Sequence, residues 1–186
     1  MEIVTMTDQA KKAISELCNK SVVIEYDMIL NYPRIIDHIV NFEKIKDGQL
    51  TKDIDKLGKE SLGHFGIIDG MIRSLGAETV WLPSTLPRLV SVTNALEKQL
   101  EKEKTVRDLY TEARKTAMAN KTTVKVGGVS NVFRTKDISE RDIIPFEQII
   151  RNLDRLILDE TRHIRIVEDS MATHKALVWE RQYLHG

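Results

Sequence analysis

A single cysteine, Cys18, is present among 186 residues, so no disulfide can close within the chain and no cysteine-rich zinc or iron-sulfur site can form in one copy. Any metal must therefore rest on carboxylates and imidazoles. Only four prolines and nine glycines interrupt the sequence, which leaves long stretches free of helix breakers. Neither sign of charge is in excess, with 28 Lys and Arg against 28 Asp and Glu. That balance removes the net field by which a chain attracts nucleic acid or an anionic membrane. No window approaches the ~20 uninterrupted apolar residues of a spanning helix, and Met1 to Lys12 turns polar before the apolar core of a signal peptide can form. A cytoplasmic protein with no nucleic-acid or membrane partner is expected.

At 21.3 kDa, 41% hydrophobic and 30% charged, the chain fits one domain over residues 1–186 with its own core. Four segments carry apolar residues every three or four positions and are predicted as helices. The first starts at a capping signal, Thr7 or Asp8, and lines up Ile14, Leu17, Ser21, Glu25, Met28 and Tyr32. Pro33 is expected to kink or stop it, with resumption to about Phe42. The second runs from about Thr51 to Leu75, with Leu57, Glu60, His64, Ile68 and Met71 inward and Gly76 as its cap. Its glycines at 58, 63, 66 and 70 each cost up to ~1 kcal/mol in a helix interior, so close packing or a local distortion must offset them. Residues 77–87 hold two prolines and are long enough to cross the length of a bundle.

The third segment, about 89–120, lines up Leu96, Glu103, Val106, Tyr110 and Ala113. The fourth, from about Pro145 past His174, lines up Leu153, Leu156, Glu160, His163 and Val167. Between them, TTVKVGGVSNVFRT at 122–135 gathers β-branched residues around a Gly-Gly pair, which predicts a β-hairpin. His38, His174 and His185 are read as surface or incidental.

Ionisable groups interrupt all four apolar stripes: Glu25, Glu60 with His64, Glu103, and Glu160 with His163. A carboxylate in a low-dielectric core must be paired, protonated or bound to a cation, and no Lys or Arg shares those stripes nearby. Four Glu and two His facing one another would form a strongly negative pocket. Two divalent cations that favour oxygen and imidazole would neutralise it. A lone Glu-x-x-His is commonly a solvated helix face, and Glu103 stands in a charge run where Glu97 or Glu101 is the inward residue if the phase shifts. The weight rests on the coincidence of all four segments.

This arrangement resembles the ferritin-like di-iron carboxylate superfamily, in its bacterioferritin-like and rubrerythrin-like forms. Glu160-Thr-Arg-His163, within LILDETRHIRIVED, looks like the family's Glu-x-x-His helix. Glu25 with Tyr32, and Glu103 with Tyr110, both match its Glu-x6-Tyr spacing. The phrase HFGIIDGMIRSLGAETVW is similar to the stretch from the second-helix histidine through its capping glycine. One departure stands out: Glu60 and His64 are four apart instead of three, and Ser61 takes the place of the motif's Glu. A one-turn π-bulge would restore the pairing; otherwise one metal position is left weak or empty.

The resemblance implies an all-α ferritin-like four-helix bundle with a long crossover between helices 2 and 3 and the hairpin inserted between helices 3 and 4. It implies Glu25, Glu60, His64, Glu103, Glu160 and His163 as ligands of two iron ions, or of manganese. Tyr32 and Tyr110 would hydrogen-bond ligand carboxylates from the opposite half. The expected activity is oxidation of ferrous iron with oxygen or peroxide, in a homo-oligomer self-associating through the hairpin. A di-metal oxygenase or manganese catalase shares this ligand set. A metal-free or single-metal helical scaffold for protein interaction is the alternative from another class.

Overall fold

Thr7 opens the first long helix: its hydroxyl accepts from the backbone N–H of Ala10 at 3.2 Å, and Asp8 stands in the first turn where the helix dipole favours an acid. The computed structural model describes residues 2–80, 88–125 and 146–184. Its elements are β1 (Glu2–Met6), α1 (Asp8–Asp37), a π-helical turn (His38–Phe42), α2 (Gly48–Ser74), α3 (Val92–Ala119), β2 (Lys121–Lys125) and α4 (Phe146–Leu184). Asp47 caps α2 and Ser91 caps α3 through side-chain oxygens. Gly76, at φ 78°, ends α2 in the left-handed region that glycine tolerates best.

Pro33 lies inside α1 without stopping it. The disturbance falls further on, in the wider π turn, where the N–H of Glu43 donates to His38 O at 3.0 Å. The π-bulge that would have restored the pairing of Glu60 with His64 is absent, since α2 is α-helical from end to end. Of its glycines, Gly58 alone is held by packing: an added Cβ would stand 3.2 Å from Tyr32 Cβ, whereas Gly63, Gly66 and Gly70 face open space.

Contacts along the bundle give its topology. Tyr110 meets Glu25, and Tyr32 meets Glu103, so α1 and α3 are antiparallel. His64 meets Glu25 while Gly58 meets Tyr32, so α1 and α2 are antiparallel as well. Consequently α2 and α3 run the same way, and the chain leaves α2 at one end of the bundle to enter α3 at the other. Asn19 holds the start of this connection, donating to Glu78 O at 3.2 Å and accepting from Val80 N at 2.7 Å. Residues 81–87 lie outside the described residues. The helices share one core built on residues such as Ile14, Met28, Ile54, Leu57, Leu96 and Leu156. No helix among the described residues is long and apolar enough to cross a membrane.

The segment expected to fold back on itself as a hairpin behaves differently where it is described. Strand β2 pairs antiparallel with the N-terminal β1, Glu2 opposite Lys125 and Met6 opposite Lys121. β1 was not foreseen, because five residues with no turn signal after them carry little strand signature. The rest of the expected hairpin, 126–135, lies outside the described residues.

Candidate metal centre

The centre sits midway along the bundle, where each helix turns one or two ionisable side chains into the core. Glu25, Glu103, Glu160 and His163 are fully buried, and His64 nearly so. Burial of Glu103 settles the helical phase, since Glu97 and Glu101 are exposed. The Nδ1 atom of His64 lies 2.7 Å from Glu160 Oε1 and 3.3 Å from Glu25 Oε1. Its counterpart, His163 Nδ1, lies 3.3 Å from Glu103 Oε2 and 3.7 Å from Glu160 Oε2. Glu160 thus stands between two imidazoles whose rings stack with centroids 5.1 Å apart. Tyr110 donates to Glu25 Oε1 at 2.8 Å, and Tyr32 donates to Glu103.

Glu60 does not join this group. In a regular helix, neighbouring residues point about 100° apart, so Ser61, three before His64, takes the inward position and Glu60 the rim. The carboxylate of Glu60 accepts from the outer nitrogen of His163, Nε2, at 2.9 Å, and pairs with Arg162 at 3.1 Å. A cation near those stripes, which the sequence had not indicated, is therefore present in Arg162. Asp159 mirrors Glu60 at 3.4 Å from His64 Nε2. Sequence reasoning missed this role for Asp159, although its place immediately before Glu160, like that of Glu60 before Ser61, carries the signal.

The electrostatics follow from the crowding. Burial disfavours the imidazolium of His64, but Glu160 and Glu25 outweigh it and raise its pKa to about 10. Burial of His163 is likewise outweighed, by Glu103 and Glu160, and its pKa rises to about 11. Burial, then the neighbouring Glu103, push Glu160 up to about 8. Glu103 is itself held below the usual carboxylate range, burial being outweighed by contacts with Glu160 and His163. Burial and adjacent carboxylates raise both tyrosines, which keeps them protonated as donors. Without a cation the cluster is held together by protons, and those are what a metal replaces.

These residues fit a metal. His64, Glu160 and His163 offer ligand atoms all within 4.8 Å of one another. Glu25 Oε2 is buried without a hydrogen-bond partner, a costly state for an oxygen that a cation would satisfy, and the oxygens of Glu160 are buried against the two imidazoles. Imidazole and carboxylate donors suit iron, manganese and zinc.

A third buried histidine lies towards the far end of the bundle. His174, expected at the surface, is only 3% exposed. Its Nε2 is 2.6 Å from Glu43 Oε2, and its Nδ1 is 3.4 Å from Thr93 Oγ1. It joins α4 to the residue after the π turn and to the first turn of α3. His38 stacks on Phe42 beside it, and His185 lies outside the described residues.

Four helices with an end-to-end connection, closing on a buried cluster of carboxylates and imidazoles, define the ferritin-like bundle. The fold is that of a crystal structure titled as ferritin-like, diiron-carboxylate proteins from Bacillus anthracis str. Ames. The match has a TM-score of 0.64 and 17% sequence identity, and covers 87% of this chain and 97% of that one. At the level of sequence, no family model and no curated protein matches the chain.

Proposed function

We propose that the chain binds two iron ions in this cluster and oxidises ferrous iron with oxygen or peroxide. In this reading Glu25, His64, Glu103, Glu160 and His163 would hold the ions. The observation that carries it is Glu160 itself, fully buried between both imidazoles, with Oε1 2.7 Å from His64 Nδ1 and Oε2 3.7 Å from His163 Nδ1. An iron pair, when bound, supplies the electrons that reduce the oxidant. Manganese satisfies the same donors.

The chain's own residues prepare the site. Tyr32 and Tyr110 fix the orientation of Glu103 and Glu25 by donating to them. Glu60 and Asp159 face the outer nitrogens of His163 and His64, which orients each ring with Nδ1 inward and raises its basicity. Burial keeps water from the carboxylates, so a cation gains more from them than it would at the surface.

Anaerobic titration with ferrous iron, followed by metal analysis, tests this reading. About two irons per chain are expected, lost in Glu25→Ala and Glu160→Ala, with the bound ferrous iron oxidised when oxygen or peroxide is admitted. Iron near zero overturns it.

Ser61, where a symmetric centre would carry a carboxylate, favours a second reading: a metal-free or single-metal scaffold that acts in protein interaction. Under it, ferrous iron leaves the melting temperatures of the wild type and of Glu160→Ala unchanged. Under the metal reading, ferrous iron raises the melting temperature and Glu160→Ala abolishes the gain.

A further inference from the structure

The bundle's internal twofold is broken at one residue. Tyr32 and Tyr110 reach across to Glu103 and Glu25 as a reciprocal pair. Glu60 and Asp159 face the outer nitrogens of His163 and His64 as another. Glu160 stands three residues before His163, and at the matching place before His64 stands Ser61.

Ser61 is fully buried and its hydroxyl has no hydrogen-bond partner. This is unusual for a helical serine, which ordinarily donates back to the preceding turn. Ser15 and Ser21 do so in α1, donating to Lys11 O at 2.9 Å and Leu17 O at 3.1 Å. The hydroxyl of Ser61 is thus available to donate to a bound group. Charge points the same way. Glu25, Glu103 and Glu160 carry three negative charges at most, against four positive on two divalent cations. Glu60 does not make up the difference, since its carboxylate is taken by His163 and Arg162. Asp159 is likewise engaged, by His64, Arg155 and Arg162. A net positive charge in a buried site calls for an anion.

Building on the iron-pair reading, we propose that the centre binds one small monocarboxylate, of the size of formate or acetate, beside Ser61. The Ser61 hydroxyl donates to one of its oxygens. The bound anion supplies the carboxylate that α2 lacks and balances the remaining charge. A serine side chain is shorter than a glutamate by about one carboxymethyl group, and that difference in size sets the scale of the ligand.

The test is calorimetric and needs no turnover. Chain loaded anaerobically with ferrous iron is first analysed for metal, then titrated with acetate and with formate. Saturable binding of one anion per chain is expected in the wild type, roughly tenfold or more weaker in Ser61→Ala, which loses a hydrogen bond to a charged group. Ser61→Glu should bind iron more tightly than the wild type and no longer bind acetate. Iron-loaded wild type that takes up neither anion, or Ser61→Glu that binds acetate as the wild type does, overturns the proposal and leaves the iron-pair reading standing. Absence of iron at the first step removes both, and is seen before any anion is added.

Discussion

Tyr110 donates its hydroxyl to Glu25 Oε1 at 2.8 Å, across the bundle from α3 to α1. Glu25 has no hydrogen-bond partner on its other oxygen, and the tyrosine is the shorter of the two contacts on Oε1, His64 Nδ1 lying at 3.3 Å. Tyr110→Phe should lower the stability of the metal-free protein by about 1–3 kcal/mol, the cost of leaving a buried acceptor unsatisfied. Urea unfolding monitored by circular dichroism reads the change. A loss no larger than a surface substitution gives would mean that His64, 3.3 Å from the same oxygen, satisfies Glu25 by itself.

Glu60 and Glu160 should respond differently to the loss of charge. Glu60→Gln keeps a side chain at His163 Nε2 but removes its charge, so the iron count should stay as in the wild type while affinity falls about 10- to 100-fold. Glu160→Gln removes the charge between the two imidazoles and should lower the count itself. Anaerobic ferrous titration separates the two, and an iron count that falls in Glu60→Gln would return Glu60 to the ligands.

Two glycines of α2 should give opposite signs. Gly58→Ala pushes a methyl group to 3.2 Å from the Cβ of Tyr32, a fully buried side chain that would have to shift to admit it. Destabilisation of about 1–3 kcal/mol is expected. Gly66→Ala meets nothing within 4 Å and should stabilise by roughly 0.5–1 kcal/mol through helix propensity. Thermal melts of both variants check the contrast.

Cys18 is buried, and burial raises its thiol to about 12 from an ordinary 9.0. The folded chain therefore keeps the thiol proton at alkaline pH where the unfolded chain releases it. The stability contributed by the neutral thiol is whole below pH 9.0 and declines as pH rises from there towards about 12. Alkylation by iodoacetamide, which needs the thiolate, should be slow in native buffer and stay slow well past neutrality, then become fast in urea. Rapid native labelling would contradict the burial of this face of α1.

His174→Ala should cost about 1–3 kcal/mol, because Glu43 loses its partner on a partly buried oxygen and the gap stays open. The iron count should not change, as the residue lies far along α4 from His163. Chemical denaturation and metal analysis on one preparation give both readouts.

The helices were legible in the sequence because each carries a long apolar period bounded by caps, from Thr7 at the start of α1 to Gly76 after α2. Glu25, His64, Glu103, Glu160 and His163 were legible for the opposite reason: a charge on an apolar stripe contradicts its surroundings. The place of Glu60 was harder to read because a spacing of four also keeps two side chains near one face, and only the regular winding of α2 shows that Ser61 takes the inward place. His174 was overlooked because its partners, Glu43 and Thr93, come from distant parts of the chain and share no pattern with it. The pairing of β1 with β2 was invisible for the same reason, since strand partners far apart in sequence leave no local trace.

That pairing also bears on the order in which the molecule assembles. β1 and β2 come together only after α1, α2 and α3 have been placed, since those helices lie between them in the chain. Contacts between distant residues repay their loop-closure entropy late, and a two-stranded ribbon has little stability of its own. The ribbon is thus the last part to form and the first to fray, and hydrogen exchange should find its amides opening well before those of the helices around Glu160.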